Sequence, residues 1–216
     1  NRKKIYRWAA VTIVDIQKIW HPDLSKYSLK MFIAESNLFF DWYLKNLKST
    51  EINLLKKEFN LLFKSYLSSI DIPQVLVHRD FHVDNLFYLS KSNSVKCGLI
   101  DYQDAVIGPC TYDLVSLTQD ARIDVSKQLE YELINYFLEA NLKIKREDFM
   151  LSYNLLAIQR HMKVLGIFCR LSLRDNKDQY LQHLPRVKKM LHKNLKKKKF
   201  EKFYSLLSPL LNHVRH

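Results

Sequence analysis

The sequence predicts an α+β chain, mainly helical, carrying one small β hairpin. Most of the 216 positions read as helix, most clearly where apolar residues from Ile52 to Ile70 recur at three- and four-residue intervals, the period of a helix with one buried face. Strong β patterning occurs in one region, between Gln74 and Ile100, too little for a doubly wound sheet. Apolar residues make up 47%, which fits a globular chain with a sizeable core.

Residues 5–20 read as a first helix with an irregular pattern. Leu29 to Leu47 reads as a second, rich in aromatics and containing Glu35, Phe39, Trp42 and Tyr43. Thr50 is placed to cap a third. Its apolar residues Ile52, Leu55, Phe59, Leu62, Tyr66 and Ile70 share one face, and Asp71-Ile72-Pro73 ends it. Gln74–Val77 then reads as a strand leading into a loop at His78. Leu86–Leu89 is a short strand, Ser90–Ser94 a polar turn, and Val95–Ile100 the return strand. After Gly108-Pro109, Thr111 is placed to cap a helix through Leu114 and Leu117. Asp113 falls in its first turn, where a carboxylate suits the helix dipole. Further helices are expected around 125–139, 147–166, 185–196 and 200–211. Pro185 suits the first turn of its helix. No repeat, low-complexity linker or boundary interrupts the chain, so residues 1–216 read as a single domain.

Glycine is scarce: Gly98, Gly108 and Gly166 are the whole set. No Gly-rich phosphate loop can be assembled from them, so a nucleotide has to be gripped by other means. The net charge of +13 favours anionic partners. The densest run, Lys193 to Lys199, reads as a solvated helix end in preference to a nucleic-acid patch. Three cysteines, Cys97, Cys110 and Cys169, form no CxxC pair and suggest a reduced, cytoplasmic protein. Arg2-Lys3-Lys4 precedes an apolar stretch, but Asp15 and Lys18 interrupt it, which does not fit a signal peptide. No apolar run reaches membrane-spanning length.

The chemistry concentrates in His78-Arg79-Asp80-Phe81-His82-Val83-Asp84-Asn85 and in Ile100-Asp101-Tyr102. A hairpin of near-equal arms returns the chain beside its start. Asn85 enters it and Asp101 leaves it, so both belong at one open end. Phosphoryl transfer needs a carboxylate to orient the attacking hydroxyl and oxygen ligands to hold Mg²⁺ on nucleotide phosphates. Asp80 fits the first role, and Asn85 with Asp101 the second. The bland alternative for Asp80 is an Asx turn. His78 reads as a group that holds the loop, with Asp113 accepting hydrogen bonds from it. Gln103 and Asp104 either touch the acceptor substrate or brace the loop. Gln159, Arg160, Lys163, Arg170 and Arg174 place polar and cationic groups on or beyond one helix, which an acidic or phosphorylated ligand could use, although exposed helix charges are the commoner explanation. Alternating His78, Asp80, His82 and Asp84 also invite a zinc-hydrolase reading, but no partner cluster of His or Cys is evident.

These residues resemble a known family. Val77 to Leu86 is similar to the HxDxxxxN catalytic loop of the aminoglycoside phosphotransferase and choline kinase group, which has a protein-kinase-like fold. Leu99-Ile100-Asp101-Tyr102-Gln103-Asp104-Ala105, Gly108-Pro109 and Tyr112–Leu117 resemble more closely the bacterial anomeric kinases of N-acetylmuramate and N-acetylglucosamine used in peptidoglycan recycling. Glu35–Trp42, Gln159–Leu171, Arg174-Asp175, Tyr180-Leu181 and Leu184-Pro185-Arg186 agree with that subgroup. The resemblance implies an ATP- and Mg²⁺-dependent transferase that phosphorylates an amino sugar at its anomeric hydroxyl. It makes Asp80 the catalytic base and Asn85 and Asp101 the nucleotide-metal ligands, and leaves Gln103, Asp104 and Arg170 as substrate candidates. It also implies a C-terminal lobe only. The family's smaller N-terminal β lobe, with its ATP-clamping loop and phosphate-binding Lys, has no counterpart here, and a separately encoded lobe is one way to supply it. The alternatives are an inactive sugar- or protein-binding remnant, or a kinase for another small alcohol such as an aminoglycoside, choline or homoserine.

Overall fold

The computed structural model describes residues 2–19, 22–89, 97–141 and 143–212. They are mainly helical with two small antiparallel strand pairs. The chain divides into two compact units, Asn1–Tyr27 with Asp71–Tyr153, and Ser28–Ile70 with Asn154–His216.

The first unit opens with α1 (Arg2–Ile16), which buries Tyr6, Ala9, Ala10 and Ile13. That i, i+3, i+4, i+7 spacing defines one helix face. β1 (Gln74–Val77) pairs antiparallel with β4 (Val106–Pro109), from Gln74 opposite Pro109 to Val77 opposite Val106. β4 was not legible as a strand, because Gly108-Pro109 reads as a breaker. Pro109 is tolerated because it is the last residue of a two-stranded ribbon. Residues 25–27 flank β4: Tyr27 N–H donates to the Ile107 carbonyl at 2.8 Å, and Ile107 N–H to the Ser25 carbonyl at 2.9 Å. A Cβ on Gly108 would sit 3.0 Å from that of Tyr27, tighter than an ordinary contact, so glycine eases this approach.

β2 (Leu86–Tyr88) and β3 (Cys97–Leu99) form the expected hairpin, with Leu86 opposite Leu99 and Tyr88 opposite Cys97. Its expected turn, 90–94, and the start of the return strand lie outside the described residues. α4 (Tyr112–Thr118) is buried at every position. Thr111 precedes it as expected but makes no capping bond; its hydroxyl pairs with Ser152 Oγ at 2.7 Å instead. α5 (Lys127–Ala140) is capped by Ser126, which accepts from Leu129 N–H at 3.2 Å.

In the second unit the helix expected over 29–47 is in two parts. α2 (Leu29–Leu38) is followed by a π-helical turn, Phe39–Tyr43. The change falls where Gly166 meets the chain: a Cβ there would collide with the backbone carbonyl of Leu38. α3 (Ser49–Ser68) starts one residue before Thr50, with no side-chain cap. α6 (Arg146–Asp175) is longer than expected and contributes its residues through Tyr153 to the first unit and the rest to the second. α7 (Leu184–Leu195) has Pro185 in its first turn. The helix expected over 200–211 is α8 (Glu201–Leu207) followed by a short 3-10 turn, Pro209–Asn212, because Pro209 cannot continue the α pattern. The core of this unit is aromatic. Phe32, Phe39, Phe40, Phe59, Phe63, Phe200 and Phe203 are all buried, with Phe59 5.8 Å from Phe63 and 5.5 Å from Phe203 between ring centroids.

Candidate active site

The loop joining β1 to β2 is held by its backbone. Asp113, fully buried in the first turn of α4, accepts from His78 N–H through Oδ2 at 2.7 Å and from Arg79 N–H through Oδ1 at 3.1 Å. A buried carboxylate is costly unless its oxygens are satisfied by strong donors. Two backbone amides and the N-terminal end of a helix supply that compensation.

Arg79 and Asp101 both adopt left-handed backbone, at φ 72° and 67°. For residues with a Cβ this costs about 1–3 kcal/mol each and persists only where surroundings enforce it. Around Arg79 they do. Its guanidinium lies 5.3 Å from the Tyr27 ring centroid, and its Nη1 donates to the Asp104 carbonyl at 3.1 Å. The twist reverses the chain, so that residues 80–85 curl back on themselves. The Asp80 carbonyl then accepts two bonds, from His82 N–H at 3.0 Å and from Asn85 Nδ2 at 3.0 Å. With its amide nitrogen committed, the nearly buried Asn85 has its oxygen as the remaining ligand atom. No hydrogen bond among the described residues occupies it.

At the other end of the hairpin, Ile100 N–H donates to the Asn85 carbonyl at 3.2 Å, which sets Asn85 and Asp101 beside the same open end. Asp101 is exposed and accepts from the Gln103 amide. His78 joins the two halves: its Nε2 lies 3.0 Å from the Ile100 carbonyl. Burial lowers the His78 pKa; the Ile100 bond and the charges of Asp80 and Asp101 oppose the shift without cancelling it. The ring is therefore neutral near pH 7, donates Nε2–H to Ile100, and lies within the field of both carboxylates. Its Nδ1 is buried without a hydrogen-bond partner among the described residues.

Gln103 and Asp104 are thus tied to the loop, Gln103 through Asp101 and Asp104 through Arg79. Arg170 belongs to the second unit and is partly buried. The neighbouring polar residues of α6 are not the exposed helix charges that composition suggests. Gln159, Arg160 and Lys163 are buried. Lys163 Nζ pairs with Glu35 Oε1 at 3.0 Å, and Gln159 Nε2 donates to Glu35 Oε2 at 3.1 Å.

Sequence reasoning passed over Asp120 and Arg122. Asp120 is buried just beyond α4. It accepts from Val83 N–H at 3.2 Å and from Arg122 N–H at 2.7 Å, and Arg122 Nε reaches the exposed Asp84 at 2.8 Å. One signal was available. A carboxylate at a helix C-terminus opposes the dipole, so Asp120 needed a specific partner.

An Asn oxygen and an Asp carboxylate are hard donors of the kind Mg²⁺ accepts, with water and phosphate oxygens completing its shell. Among the described residues no three His, Cys, Asp or Glu side chains gather as a metal-holding group. The donor set therefore fits a phosphate-borne cation and does not form a protein-only cage.

A backbone-clamped loop leading into a return hairpin carries the candidate residues Asp80, Asn85 and Asp101 on a kinase-like fold. The solved structure of an ADP-bound aminoglycoside phosphotransferase has the same fold, with a TM-score of 0.57 at 14% identity over 88% of this chain and 64% of that one. Residues 1–146 match the model of the phosphotransferase enzyme family, and the chain belongs to that family. It is similar to the N-acetylmuramate/N-acetylglucosamine kinase of Neisseria meningitidis serogroup B, with 32% identity over 92% of this chain and 59% of the relative. It is also similar to the protein of the same name from Pseudomonas aeruginosa, with 34% identity over 86% and 56%. The chain thus spans a little over half the length of these relatives. None of its described helices is long and apolar enough to cross a membrane.

Proposed function

We propose that residues 1–216 are the C-terminal catalytic lobe of an ATP- and Mg²⁺-dependent sugar kinase that phosphorylates the anomeric hydroxyl of N-acetylmuramate or N-acetylglucosamine. The observation that supports this reading is the loop geometry: the Asn85 amide nitrogen is pinned to the Asp80 carbonyl, and the Ile100 N–H bond to the Asn85 carbonyl sets Asn85 and Asp101 at the same end of the hairpin. In this reading Asn85 and Asp101 hold Mg²⁺, which neutralises charge on the nucleotide phosphates. Asp80 accepts a hydrogen bond from the sugar hydroxyl and orients its oxygen toward the γ-phosphorus. It takes the proton as the new P–O bond forms and ADP departs. An aspartate is a weak base, so most of its contribution is positioning, with proton acceptance late. His78 and Asp113 keep the loop in shape, and Gln103, Asp104 and Arg170 are the candidates for sugar contacts. The names of the curated relatives favour the amino sugar over other small alcohols.

A nucleotide also needs a cover. Phe87, Tyr88, Leu89, Ile100 and Tyr102 are all exposed on or beside the hairpin, and Trp8 stacks on Tyr88 at 5.1 Å. Such concentrated apolar exposure marks a surface meant to be covered. We place there the nucleotide-binding lobe, carried on the same polypeptide or a separate one, in a cytoplasmic bacterial enzyme of peptidoglycan recycling.

The test is formation of sugar 1-phosphate from Mg-ATP by the full-length protein or the reconstituted lobes. Asp80→Ala is expected to lower turnover by roughly 10²–10⁴-fold with unchanged thermal unfolding. If no amino sugar is phosphorylated, the assignment is wrong.

A further inference from the structure

We infer that Asp120 is a positioning residue that aims the Asn85 side chain by holding the Val83 amide. This rests on the reading of Asn85 as a ligand of the nucleotide's metal.

The loop has two anchors with different reach. Asp113 binds the amides of His78 and Arg79, at its start. Nothing in that bond fixes the end of the loop, where Val83–Asn85 form a single 3-10 turn. So short a turn has little stability of its own. It is held by the Asn85 N–H bond to the His82 carbonyl at 2.9 Å, by Asn85 Nδ2 on the Asp80 carbonyl, and by Asp120. Asp120 is 2% exposed, and its carboxylate takes Val83 N–H, the first amide of the turn. Its other oxygen takes Arg122 N–H, and the Arg122 side chain returns to Asp84, the middle residue of the turn. Asp120 therefore grips the turn at its first residue through backbone and, through Arg122, at its second. The third residue is Asn85. Displacement of the turn would carry the Asn85 side chain with it, and metal coordination tolerates little such movement.

Two substitutions isolate this link. Asp120→Asn keeps the shape of the side chain but replaces one acceptor oxygen with a donor, so one of the two amides loses its partner. Val83→Pro deletes the bonded N–H itself. Extended backbone at His82, φ −133° and ψ 168°, is the conformation a following proline favours. Two measurements are made on the full-length protein. The first, without ligand, is hydrogen exchange at the Asn85 amide. Both variants are expected to speed it on the order of tenfold, the scale of one lost charge-assisted hydrogen bond, with exchange in α4 unchanged. The second is the Mg²⁺ dependence of turnover at saturating ATP. Both variants are expected to raise the Mg²⁺ concentration for half-maximal rate by a similar factor while the KM for sugar stays within about twofold. A purely structural role would lower the maximal rate through loss of folded protein and leave the Mg²⁺ midpoint in place, and that result overturns the inference. So does unchanged exchange at Asn85 in both variants. Asn85→Ala separates this failure from that of the underlying reading. If Asn85→Ala raises the Mg²⁺ requirement and the two variants do not, Asp120 alone has been misassigned. If Asn85→Ala leaves it unchanged, the metal role of Asn85 falls, and the role of Asp120 with it.

Discussion

The two units bury polar groups for opposite purposes. In the first, buried carboxylates are spent on irregular backbone: Asp113 on His78 and Arg79, Asp120 on Val83 and Arg122. In the second, the part-buried carboxylate Glu35 meets the buried side chains of Lys163 and Gln159, beside a helical, phenylalanine-rich core. Regular helices satisfy their own amides and need little help from side chains. A loop that must present Asp80 and Asn85 in one orientation has no such ladder, and side-chain acceptors replace it. The same contrast appears in the backbone, since left-handed Arg79 and Asp101 both lie in the first unit. The third left-handed non-glycine residue, Asn176, follows the end of α6, where asparagine is an ordinary helix terminator.

The contrast is sharpest at Asp113. Asp113→Ala strips the acceptor from the buried His78 amide and the part-buried Arg79 amide, each up to about 1–3 kcal/mol of desolvation left uncompensated. Urea unfolding is expected to show a loss of roughly 3–5 kcal/mol, with turnover falling even under conditions where the variant remains folded. A variant of normal stability and activity would mean that the loop keeps its shape without the clamp, and the proposed division between the units would fail.

In the second unit the corresponding weak point is steric. Gly166 lies against the Leu38 carbonyl group, where no Cβ fits. Alanine is the better helix former by about 1 kcal/mol, which offsets part of the strain of separating two packed backbones, typically 1–3 kcal/mol. Gly166→Ala is expected to lower the unfolding midpoint with no change in KM for Mg-ATP. A stabilised variant would show that the approach of α6 to α2 is not tight. Loss of Mg-ATP binding at full stability would show that this unit shapes the site directly.

How much of this was legible follows the same line. The helical periodicity, the strand at Gln74–Val77 and the arms of the hairpin were readable because they depend on local apolar patterns. The candidate catalytic segment stood out because Asp80, Asn85 and Asp101 are polar residues at fixed spacings in the sequence around one hairpin. Two kinds of feature were hidden. β4 and the π turn at Phe39–Tyr43 depend on partners distant in sequence, residues 25–27 and Gln74–Val77 for the strand and Gly166 for the turn, and the local pattern argues against both. The burial of Gln159, Arg160 and Lys163 was hidden because a helix rich in polar residues ordinarily faces water. Glu35, more than a hundred positions earlier, shows otherwise for Gln159 and Lys163. Asp120 was missed for a related reason: its partner, Val83 N–H, is a backbone atom and leaves no mark in the sequence.

The last expected effect vanishes at neutral pH, grows only on acidification, and belongs to the second unit. His161 is fully buried, and burial first, then the charges of Arg160 and Lys193, lower its pKa to about 3. An unfolded histidine titrates near 6.5. Between these values the unfolded chain binds a proton that the folded one does not, so stability is full above about pH 6.5 and is lost as pH falls toward 3. The slope from this one group is at most about 1.4 kcal/mol per pH unit. His78 in the first unit shifts in the same direction, also from burial, and adds to the loss in the upper part of that window. His161→Gln should therefore flatten the pH dependence of urea unfolding between pH 6.5 and 4 by close to one proton while leaving the remaining slope. Turnover near pH 7 should be unchanged, because both histidines are already neutral there. If His161→Gln leaves the acid slope intact, the proton uptake lies elsewhere. If the variant instead shifts the pH dependence of turnover, the second unit takes part in the chemistry, and the contrast between a unit built for presentation and one built for packing no longer holds.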